Sequence, residues 1–210
     1  MAIKAQKSLI KIATGAGAAK NITAITKAYP PVITSAAHGF VAGDRVAIAA
    51  VGGMTELNGN TYTVEYATTN TFALKGVDAS AYGTYTSGGT ATPVTFTQVM
   101  KVKNLDPGGG SASEIDETTL DSDAKEFSAG LVDYGSESGE LVVDFADAGQ
   151  NALRARFADG VQKDFQITYP GGTVKSFAGW VREYNGDKLA VDGILTATFT
   201  VRKTGVTTWS

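Results

Sequence analysis

Three side chains in the first quarter of the chain, Ser35, His38 and Asp44, are of the types that form a hydrolytic triad. In a triad the histidine takes the proton of the serine hydroxyl and the carboxylate orients the imidazole. A serine nucleophile also needs a sharp Gly-x-Ser-x-Gly turn and an oxyanion hole, and no such motif surrounds Ser35. We therefore expect His38, the single histidine of the chain, to cap backbone groups in a turn.

A second candidate is the glycine-rich segment that contains Gly15, Gly17 and Lys20. A phosphate-binding loop requires the spacing Gly-x-x-x-x-Gly-Lys-Ser/Thr, in which backbone amides and the lysine hold the phosphates. Here the glycines and the lysine stand too close together, and Asn21 follows the lysine. We expect a flexible turn.

Metal, cofactor and glycosidase chemistry have weaker signals. The chain has no cysteine, which excludes disulfides and thiolate metal sites, and one histidine cannot form a multi-histidine site. The acidic residues between 106 and 126 lack the Asp-x-Asp-x-Asp-Gly spacing of a calcium loop. Asp187 and Asp192 flank turns, and nothing indicates a cleft between them for a glycosidase pair. The sequence predicts no catalytic residue, metal or cofactor, and we expect that the protein is not an enzyme.

Composition indicates a mainly β protein. The chain has 210 residues, 43% of them hydrophobic, which is enough for one or two domains. Its 25 glycines occur beside many threonines and valines, and few segments have the helical period. A formal net charge of -3 predicts no general attraction to nucleic acid or to anionic membranes. No apolar run approaches the roughly 18 residues of a membrane span.

Alternation of apolar and polar residues predicts a series of strands, and turns and one helix should connect them. The predicted strands are 7–13, 46–50, 61–66, 71–74, 93–104, 127–132, 140–145, 164–169, 174–184 and 193–203. One helix is predicted from its cap Asp147 to Ala158, with Leu153 and Phe157 on one face and Gly160 as its stop. We expect strand 7–13 to pair with strand 93–104, and strand 127–132 to form a hairpin with strand 140–145.

The residues from 22 to 92 are predicted to form an inserted small β-barrel. The segments 38–40, 43–44, 54–59 and 70–74 resemble the first-catalytic-cysteine-half-domain-like domain of ubiquitin-activating enzymes. The resemblance implies a binding or packing unit without ubiquitin chemistry, because the chain lacks the nucleophilic cysteine. Five aromatic residues of this module could bind sugar or could be core and cross-strand pairs: Tyr62, Tyr66, Phe72, Tyr82 and Tyr85.

Charge is distributed unevenly along the chain. Residues 1–27 carry five lysines and no acid, whereas residues 106–126 carry seven acids and one lysine. We expect residues 108–126 to be a long acidic loop that becomes ordered on a neighbouring subunit. Its expected partner is the lysine-rich segment 1–27, here called the basic arm. The predicted contacts between subunits or rings are Lys4, Lys7, Lys11, Glu114, Asp116, Glu117, Leu120, Asp121 and Asp123.

The segment GTVKSFAGWV, residues 172–181, has large side chains on both faces of a predicted strand. We expect Trp180 to pack in the core against Leu153 and Phe157. Phe177 points to the opposite face, where we expect a contact between subunits.

From Lys101 onward the order of motifs resembles that of lambda-type siphophage major tail tube proteins. The motifs are KVKNLDPG, the acidic loop, the helix NALRARF, the segment FQITYPGGTVKSFAGWV and the closing TFTVRKTG. The resemblance implies an antiparallel β-sandwich or barrel with one short α-helix. The tube domain would be 1–21 and 93–210, and the inserted small β-barrel would be 22–92.

The resemblance also implies a function. Tail tube proteins form hexameric rings that stack into a hollow tube, through which double-stranded DNA leaves the virion. The implied partners are further copies of the chain and the tail terminator, distal tail and tape measure proteins, with assembly in the cytoplasm of the host bacterium and no membrane contact. The lumen should be neutral to acidic, and Glu140 and Asp144 are the predicted lumen-facing residues. The alternative function is that of a virion decoration or carbohydrate-binding protein.

Overall fold

The computed structural model describes residues 7–188 and 193–210; the predicted contact Lys4 and the predicted acid Asp192 lie outside these ranges. Strands dominate the described residues, as predicted. The first half of the chain forms β1 (Leu9–Ala16), β2 (Lys20–Asn21), β3 (Ala24–Ile25), β4 (Val32–Thr34), β5 (Arg45–Gly52), a 3-10 helix (Thr55–Leu57), β6 (Thr61–Ala67), β7 (Thr71–Leu74) and β8 (Ser87–Gln98). The second half forms β9 (Val102–Pro107), β10 (Ser111–Asp116), β11 (Phe127–Asp133), β12 (Ser136–Val142), α1 (Ala148–Asp159), β13 (Lys163–Thr168), β14 (Val174–Lys188), β15 (Thr196–Lys203) and β16 (Thr208–Trp209).

Most of these strands belong to one continuous antiparallel sheet. Its order is β3-β4-β7-β6-β5-β8-β1-β13-β14-β15-β12-β9, with β2 paired to β8 and β16 paired to β14. The predicted pairing of the arm strand is confirmed, because Lys11 lies opposite Gln98 and Ile12 lies opposite Thr97. The residues between β1 and β8 are therefore an insertion into a hairpin connection.

The inserted segment has an apolar cluster of its own, which includes Ile33, Val46, Leu57 and Phe72. Its three predicted strands are present as β5, β6 and β7. A Gly-Gly pair is typical of a turn, but Gly88 and Gly89 lie within β8. Gly89 has φ +95°, and a Cβ there would lie 2.6 Å from Cγ2 of Val51, so the strand passes too close to β5 for any side chain.

The helix forms where the sequence predicts it. The Asp147 side chain accepts a hydrogen bond of 2.7 Å from the Gln150 amide, and Gly160 ends the helix in the left-handed conformation. Leu153 is fully buried as predicted, but Phe157 is 46% exposed, so its core assignment is wrong. Gln150, one turn before Leu153, points inward, and its side-chain amide nitrogen donates to the Met100 and Val142 carbonyls.

The predicted faces of β14 are correct, but their assignment is reversed. Phe177 is 1% exposed and stacks on Phe165, with ring centroids 5.6 Å apart. Trp180 is 36% exposed and lies opposite Arg202 on the outer face. Alternation specifies which residues share a face but not which face is inward, and Phe177 packs with Leu153 and Val181 in the second apolar cluster.

The acidic segment also differs from the prediction. Residues 111–116 form β10, which pairs with β11 in a separate two-stranded sheet; only the connection between them is a loop. Strand β12 begins at Ser136 and pairs with β15 and β9, so the predicted hairpin of 127–132 with 140–145 is wrong. Phe145, at the end of the predicted strand 140–145, lies outside β12 and is exposed. Every residue of β10 is exposed, so it has no apolar face from which a strand could have been predicted.

Candidate assembly surfaces

The residues that suggested hydrolysis do not form a catalytic arrangement. His38 is buried between the rings of Phe40 and Phe72, and its Nδ1 accepts a hydrogen bond from the Phe40 amide. The Asp44 carboxylate accepts from the Val41 amide, and the Ser35 hydroxyl is buried without a partner in the described part of the chain. The His38 and Asp44 side chains each accept a hydrogen bond from the backbone of their own turn, as expected for His38.

The polar groups of the glycine-rich segment bind backbone carbonyls and do not form an open phosphate site. The Gly17 amide donates to the Pro93 carbonyl at 2.8 Å, and the Lys20 ammonium donates to the Ala37 carbonyl at 3.2 Å. Residues 7–188 and 193–210 contain no group of three or more acids and histidines that could hold a metal ion. None of the helices described in those ranges is long and apolar enough to cross a bilayer.

The aromatic residues of the inserted module are mostly packing residues. Phe72 is buried, and Tyr62 and Tyr82 pack against the module cluster. The Tyr85 hydroxyl donates to the carbonyls of Ile22 and Gly88. Tyr66 alone among the five predicted candidates is largely exposed, so these residues do not form a stacking platform for sugar.

The β10–β11 hairpin carries several large apolar side chains that are not packed against the rest of the described chain. Leu131 is 90% exposed, and Leu120 at the connection is fully exposed. Ile115, Phe127 and Val132 are also about half exposed. Ile115 lies opposite Ser128, and Phe127 lies opposite Asp116, so the two apolar side chains point to opposite faces of the hairpin. Large apolar side chains exposed on both faces of an element are typical of an interaction site. Leu120 was predicted as a contact, whereas Leu131 and Val132 were predicted only as part of strand 127–132.

The acids of the hairpin remain available to solvent. Asp116 accepts hydrogen bonds from Thr118, which lower the pKa of its carboxyl, and the Glu117 carboxylate accepts from the Ser128 hydroxyl at 2.6 Å. Glu114, Asp121 and Asp123 are exposed. Across the described ranges, no ion pair joins these acids to the predicted basic partners, of which Lys7 is exposed and Lys11 is half-buried.

An open groove of about 620 Å³ lies beside Lys7, between β1 and the end strand β9. Its apolar lining includes Leu9, Val99, Val102 and Leu105. Lys101 and Lys103 stand among the polar residues that complete the groove. β9 is the last strand of the sheet, so the side of β9 that faces away from β12 is a free edge among the described strands.

The outer face of β14, β15, β12 and β9 is polar. Rows of paired residues cross it: Glu183, Thr200, Ser138 and Asp106 in one row, and Asn185, Thr198, Glu140 and Asn104 in the next. The predicted lumen residues lie on or beside this face and are half-buried. Glu140 pairs with Lys103 at 3.1 Å, and Asp144 pairs with Lys101 at 3.0 Å. The Lys101 hydrogen bond, with a second from the Ala146 amide, lowers the pKa of Asp144.

Polar contacts also join the inserted segment to the second half of the chain. Arg45 on β5 and Asp164 on β13 form an ion pair of 2.6 Å with little solvent exposure. The hydroxyls of Thr63 and Thr208 are 3.3 Å apart, and the Lys75 ammonium donates to the Trp209 carbonyl. These residues were missed in the sequence, because no pattern in one strand identifies its charged partner more than a hundred residues away.

A further group of charges, buried among β12, β14 and β15, was also missed. Glu137 is fully buried, and Lys175 and Lys203 are both within hydrogen-bond distance of its Oε1 atom. Alternation places Lys175 on the same face of β14 as Phe177 and Val181, but only the structure shows that this face is the buried one.

Comparison with known families matches two parts of the chain. Residues 81–210 match the family model described as lambda phage tail tube protein, TTP. Residues 31–95 match the model described as ubiquitin-activating enzyme E1 FCCH domain. The rabbit (Oryctolagus cuniculus) ubiquitin-like modifier-activating enzyme 1 is 34% identical over 87 residues, which are 40% of this chain and 8% of that enzyme.

Part of the chain also matches chains of solved structures. One is a chain in the tail of an empty gene transfer agent particle with C6 symmetry, with a TM-score of 0.46, 22% identity and coverage of 55% of this chain and 86% of that chain. A chain of the native gene transfer agent virion has a TM-score of 0.46, 19% identity and coverage of 55% and 88%. A chain of the six-fold symmetrised anti-feeding prophage baseplate has a TM-score of 0.42, 10% identity and coverage of 55% and 84%.

Proposed function

Because the chain belongs to the lambda phage tail tube protein family, we propose that it forms hexameric rings that stack into a hollow tube and conduct double-stranded DNA during ejection. Membership of the family makes the chain a structural component of a phage tail tube. The observation that supports assembly into rings and a tube is the β10–β11 hairpin, which exposes apolar side chains that its own chain leaves uncovered.

An exposed hairpin of this kind requires a partner. Ile115, Phe127 and Leu131 lose contact with water only if another molecule covers them, and each Å² of apolar area so buried contributes about 25 cal/mol. A two-stranded sheet alone is at best marginally stable in water. Another copy of the chain is the natural partner in a homopolymer, where one contact closes the ring and a second, different contact stacks rings.

The basic arm and the groove beside it are the proposed receiving surface on the second copy. Lys7 borders the groove, whose apolar lining could cover Ile115 or Phe127. The hairpin acids Glu114 and Asp121 are complementary in charge to Lys7 and Lys11. This assigns the predicted contacts of the acidic segment to one surface, with Leu120, Asp116, Glu117 and Asp123 at its border.

Charge complementarity makes the contact sensitive to salt, because exposed ion pairs are screened within about 8 Å at 0.15 M ionic strength. Double reversal, Lys7→Glu with Lys11→Glu, should weaken polymerisation and invert its dependence on salt, because salt would then screen a repulsion between acids. Light scattering across a sodium chloride titration measures both. If the reversal variant polymerises like the unmodified protein, the basic arm is not the receiving surface.

The polar face of β14, β15, β12 and β9 is the proposed lumen wall. A wall that binds DNA would stop ejection, since a few phosphate contacts give strong binding. Lysines 101 and 103 are paired with Asp144 and Glu140, and Arg202 is paired with Asp133 at 2.7 Å. Hydroxyl and amide side chains fill the rows between them, so the face offers DNA little net positive charge.

The inserted module is proposed to project from the tube exterior. In the order of the sheet, the module strands β3 to β7 are at one end and β12 and β9 are at the other. A lumen on the β12–β9 side therefore leaves the module on the far side. We also propose that the tube contacts the tail terminator, distal tail and tape measure proteins and assembles in the cytoplasm of the host bacterium.

Negative-stain electron microscopy of the purified protein tests the proposal. The unmodified protein should form long tubes, and the double variant Ile115→Ser with Phe127→Ser should raise the protein concentration required for tubes by about tenfold or more. Val206→Ser is the control, because Val206 is at least as exposed as Ile115 and Phe127 but lies outside the hairpin. Equal thermal melting of all variants would show that folding is intact.

Two outcomes contradict the proposal. If the hairpin variant assembles as readily as the Val206→Ser control, the hairpin is not an assembly contact. If the unmodified protein remains monomeric and binds a glycan array, the alternative function as a decoration or carbohydrate-binding protein is favoured, with Tyr29 and Tyr66 as the exposed aromatic residues of the module.

A further inference from the structure

The buried charges of Glu137, Lys175 and Lys203, here called the charged trio, have no part in the proposed assembly. Glu137 is 0% exposed, and its Oε1 atom lies 2.5 Å from the Lys175 ammonium and 3.2 Å from the Lys203 ammonium. Its Oε2 atom is buried with no hydrogen-bond partner among the described residues. Buried ion pairs contribute little net stability compared with apolar side chains of similar size, so their presence requires another explanation.

Lys203 connects the charged trio to the root of the hairpin. The Lys203 ammonium donates to the Gly108 carbonyl at 3.0 Å, directly after β9 ends. The Gly108 amide donates to the Ser136 carbonyl at 2.7 Å, and the Lys203 amide donates to the Gly135 carbonyl at 3.0 Å. Lys203, which contacts Glu137, therefore also holds both ends of the hairpin, at Gly108 and at Gly135.

Lys175 connects the charged trio to the C-terminal strand β16. Lys175 lies opposite Trp209 in the sheet, and its ammonium is 5.8 Å from the centre of the indole ring. Trp209 stacks on Tyr169 with centroids 5.8 Å apart. The negative charge of Glu137 adds to burial in raising the pKa of Tyr169, so this ring lies within the field of the trio.

Strand β16 in turn contacts the inserted module. The Trp209 carbonyl accepts from the Lys75 ammonium, and the Thr208 hydroxyl lies 3.3 Å from that of Thr63. A continuous series of contacts therefore joins the hairpin root, Lys203, Glu137, Lys175, Trp209 and the module.

We propose that Glu137 is a positioning residue that couples the hairpin to the inserted module. Displacement of Gly108 moves Lys203, and Glu137 must follow because separation would leave a buried charge without its partner. Lys175 shares the same oxygen atom of Glu137 and transmits the displacement to Trp209 and the module. The module thereby responds to the state of the hairpin, whatever partner the hairpin binds.

Trp209 fluorescence tests this coupling in the full chain. The chain has two tryptophans, so Trp180→Phe leaves Trp209 as the only emitter. In that background Gly108→Ala disturbs the hairpin root, because its Cβ would lie 2.3 Å from the Ser136 carbonyl oxygen. Gly109→Ala is the matched control, because a Cβ there meets nothing within 4 Å. Gly108→Ala should raise acrylamide quenching of Trp209 by about twofold, and Gly109→Ala should leave it unchanged.

An apolar replacement of the trio separates coupling from simple structural support. Glu137→Leu with Lys175→Met and Lys203→Met removes all three charges, so the protein should fold with nearly its original stability. The twofold response of Trp209 to Gly108→Ala should be absent in this triple variant. A response of equal size in both backgrounds, or no response in either, would overturn the proposal. Because quenching is measured on the unassembled protein, it does not depend on whether tubes form.

Discussion

Single charged side chains join parts of this chain that apolar packing leaves separate. The two apolar clusters have no residue in common. Arg45 and Asp164 bridge them with an ion pair that is largely withdrawn from water. Charges in such positions are costly when one partner is removed, and this makes their contribution measurable.

Arg45→Ala should lower the free energy of unfolding by about 3 kcal/mol, because Asp164 would keep a largely buried charge without its partner. Urea unfolding followed by circular dichroism measures the loss. The double variant Arg45→Met with Asp164→Leu should recover most of it. If the double variant is as unstable as Arg45→Ala, the loss comes from altered packing rather than from the unpaired charge.

Acidification should loosen the hairpin root through Asp133. The Gly135 amide and the Arg202 guanidinium, which donate hydrogen bonds to this carboxylate, hold its pKa below the usual value. A lowered folded-state pKa means that the stabilisation is complete above about pH 3.9 and is lost as the pH falls through the folded-state pKa. Relative to the intrinsic exchange rate at each pH, hydrogen exchange of the Gly135 amide should therefore accelerate at acidic pH.

The Asp133→Asn variant is the control, since a side chain that does not ionise in this range removes that acceleration. A carboxyl titration by NMR with a midpoint at or above that of a free aspartate would contradict the assignment.

At the scale of elements, the sequence predicts the strands with one buried face and the capped helix. β7 has the predicted bounds, and β13 and α1 are within one residue of them. The faces of β14 were correct but reversed, because Trp180 and Phe177 satisfy the same alternation. β10 was missed because its stability comes from backbone pairing with β11, which leaves no apolar period in Ser111–Asp116.

The helix cap offers an element-scale prediction. Asp147 accepts hydrogen bonds from the amides of Gln150 and Met100, so it fixes both the helix and the segment after β8. Asp147→Ala should cost about 1 to 2 kcal/mol of unfolding free energy, measured by urea denaturation. Asp147→Asn should retain most of the stability because asparagine caps equally well. An asparagine variant as unstable as the alanine variant would mean that the negative charge, not the cap, is required.

At the scale of the whole molecule, the inserted module and the proposed lumen strands occupy opposite ends of one sheet. The insertion begins and ends at adjacent points, because the Gly17 amide donates to the Pro93 carbonyl at 2.8 Å. The predicted domain boundaries at 21 and 93 remain a proposal. Strand β8 crosses the second boundary without interruption, which no composition change in the sequence reveals.

Replacing residues 18–92 with a short turn should leave tube formation intact and remove density from the outside of the tube. The lumen diameter should be unchanged, because β9, β12, β14 and β15 are retained. Cryo-electron microscopy of the two tubes compares both radii. A wider lumen with an unchanged exterior would place the module inside the tube.

The position of β1 has a consequence for the order in which the chain folds. β1 pairs with β8 and with β13, so Ile12 can complete its strand pairing only after Thr97 and then Phe165 have been synthesised. The inserted module, by contrast, has its own cluster within residues 22–91 and relies on nearer contacts, which form faster. Pulse-labelled hydrogen exchange during refolding should find the module amides protected first. A nascent chain would thus complete its module while the groove beside β1 is still unformed, and copies on one messenger would not polymerise before release.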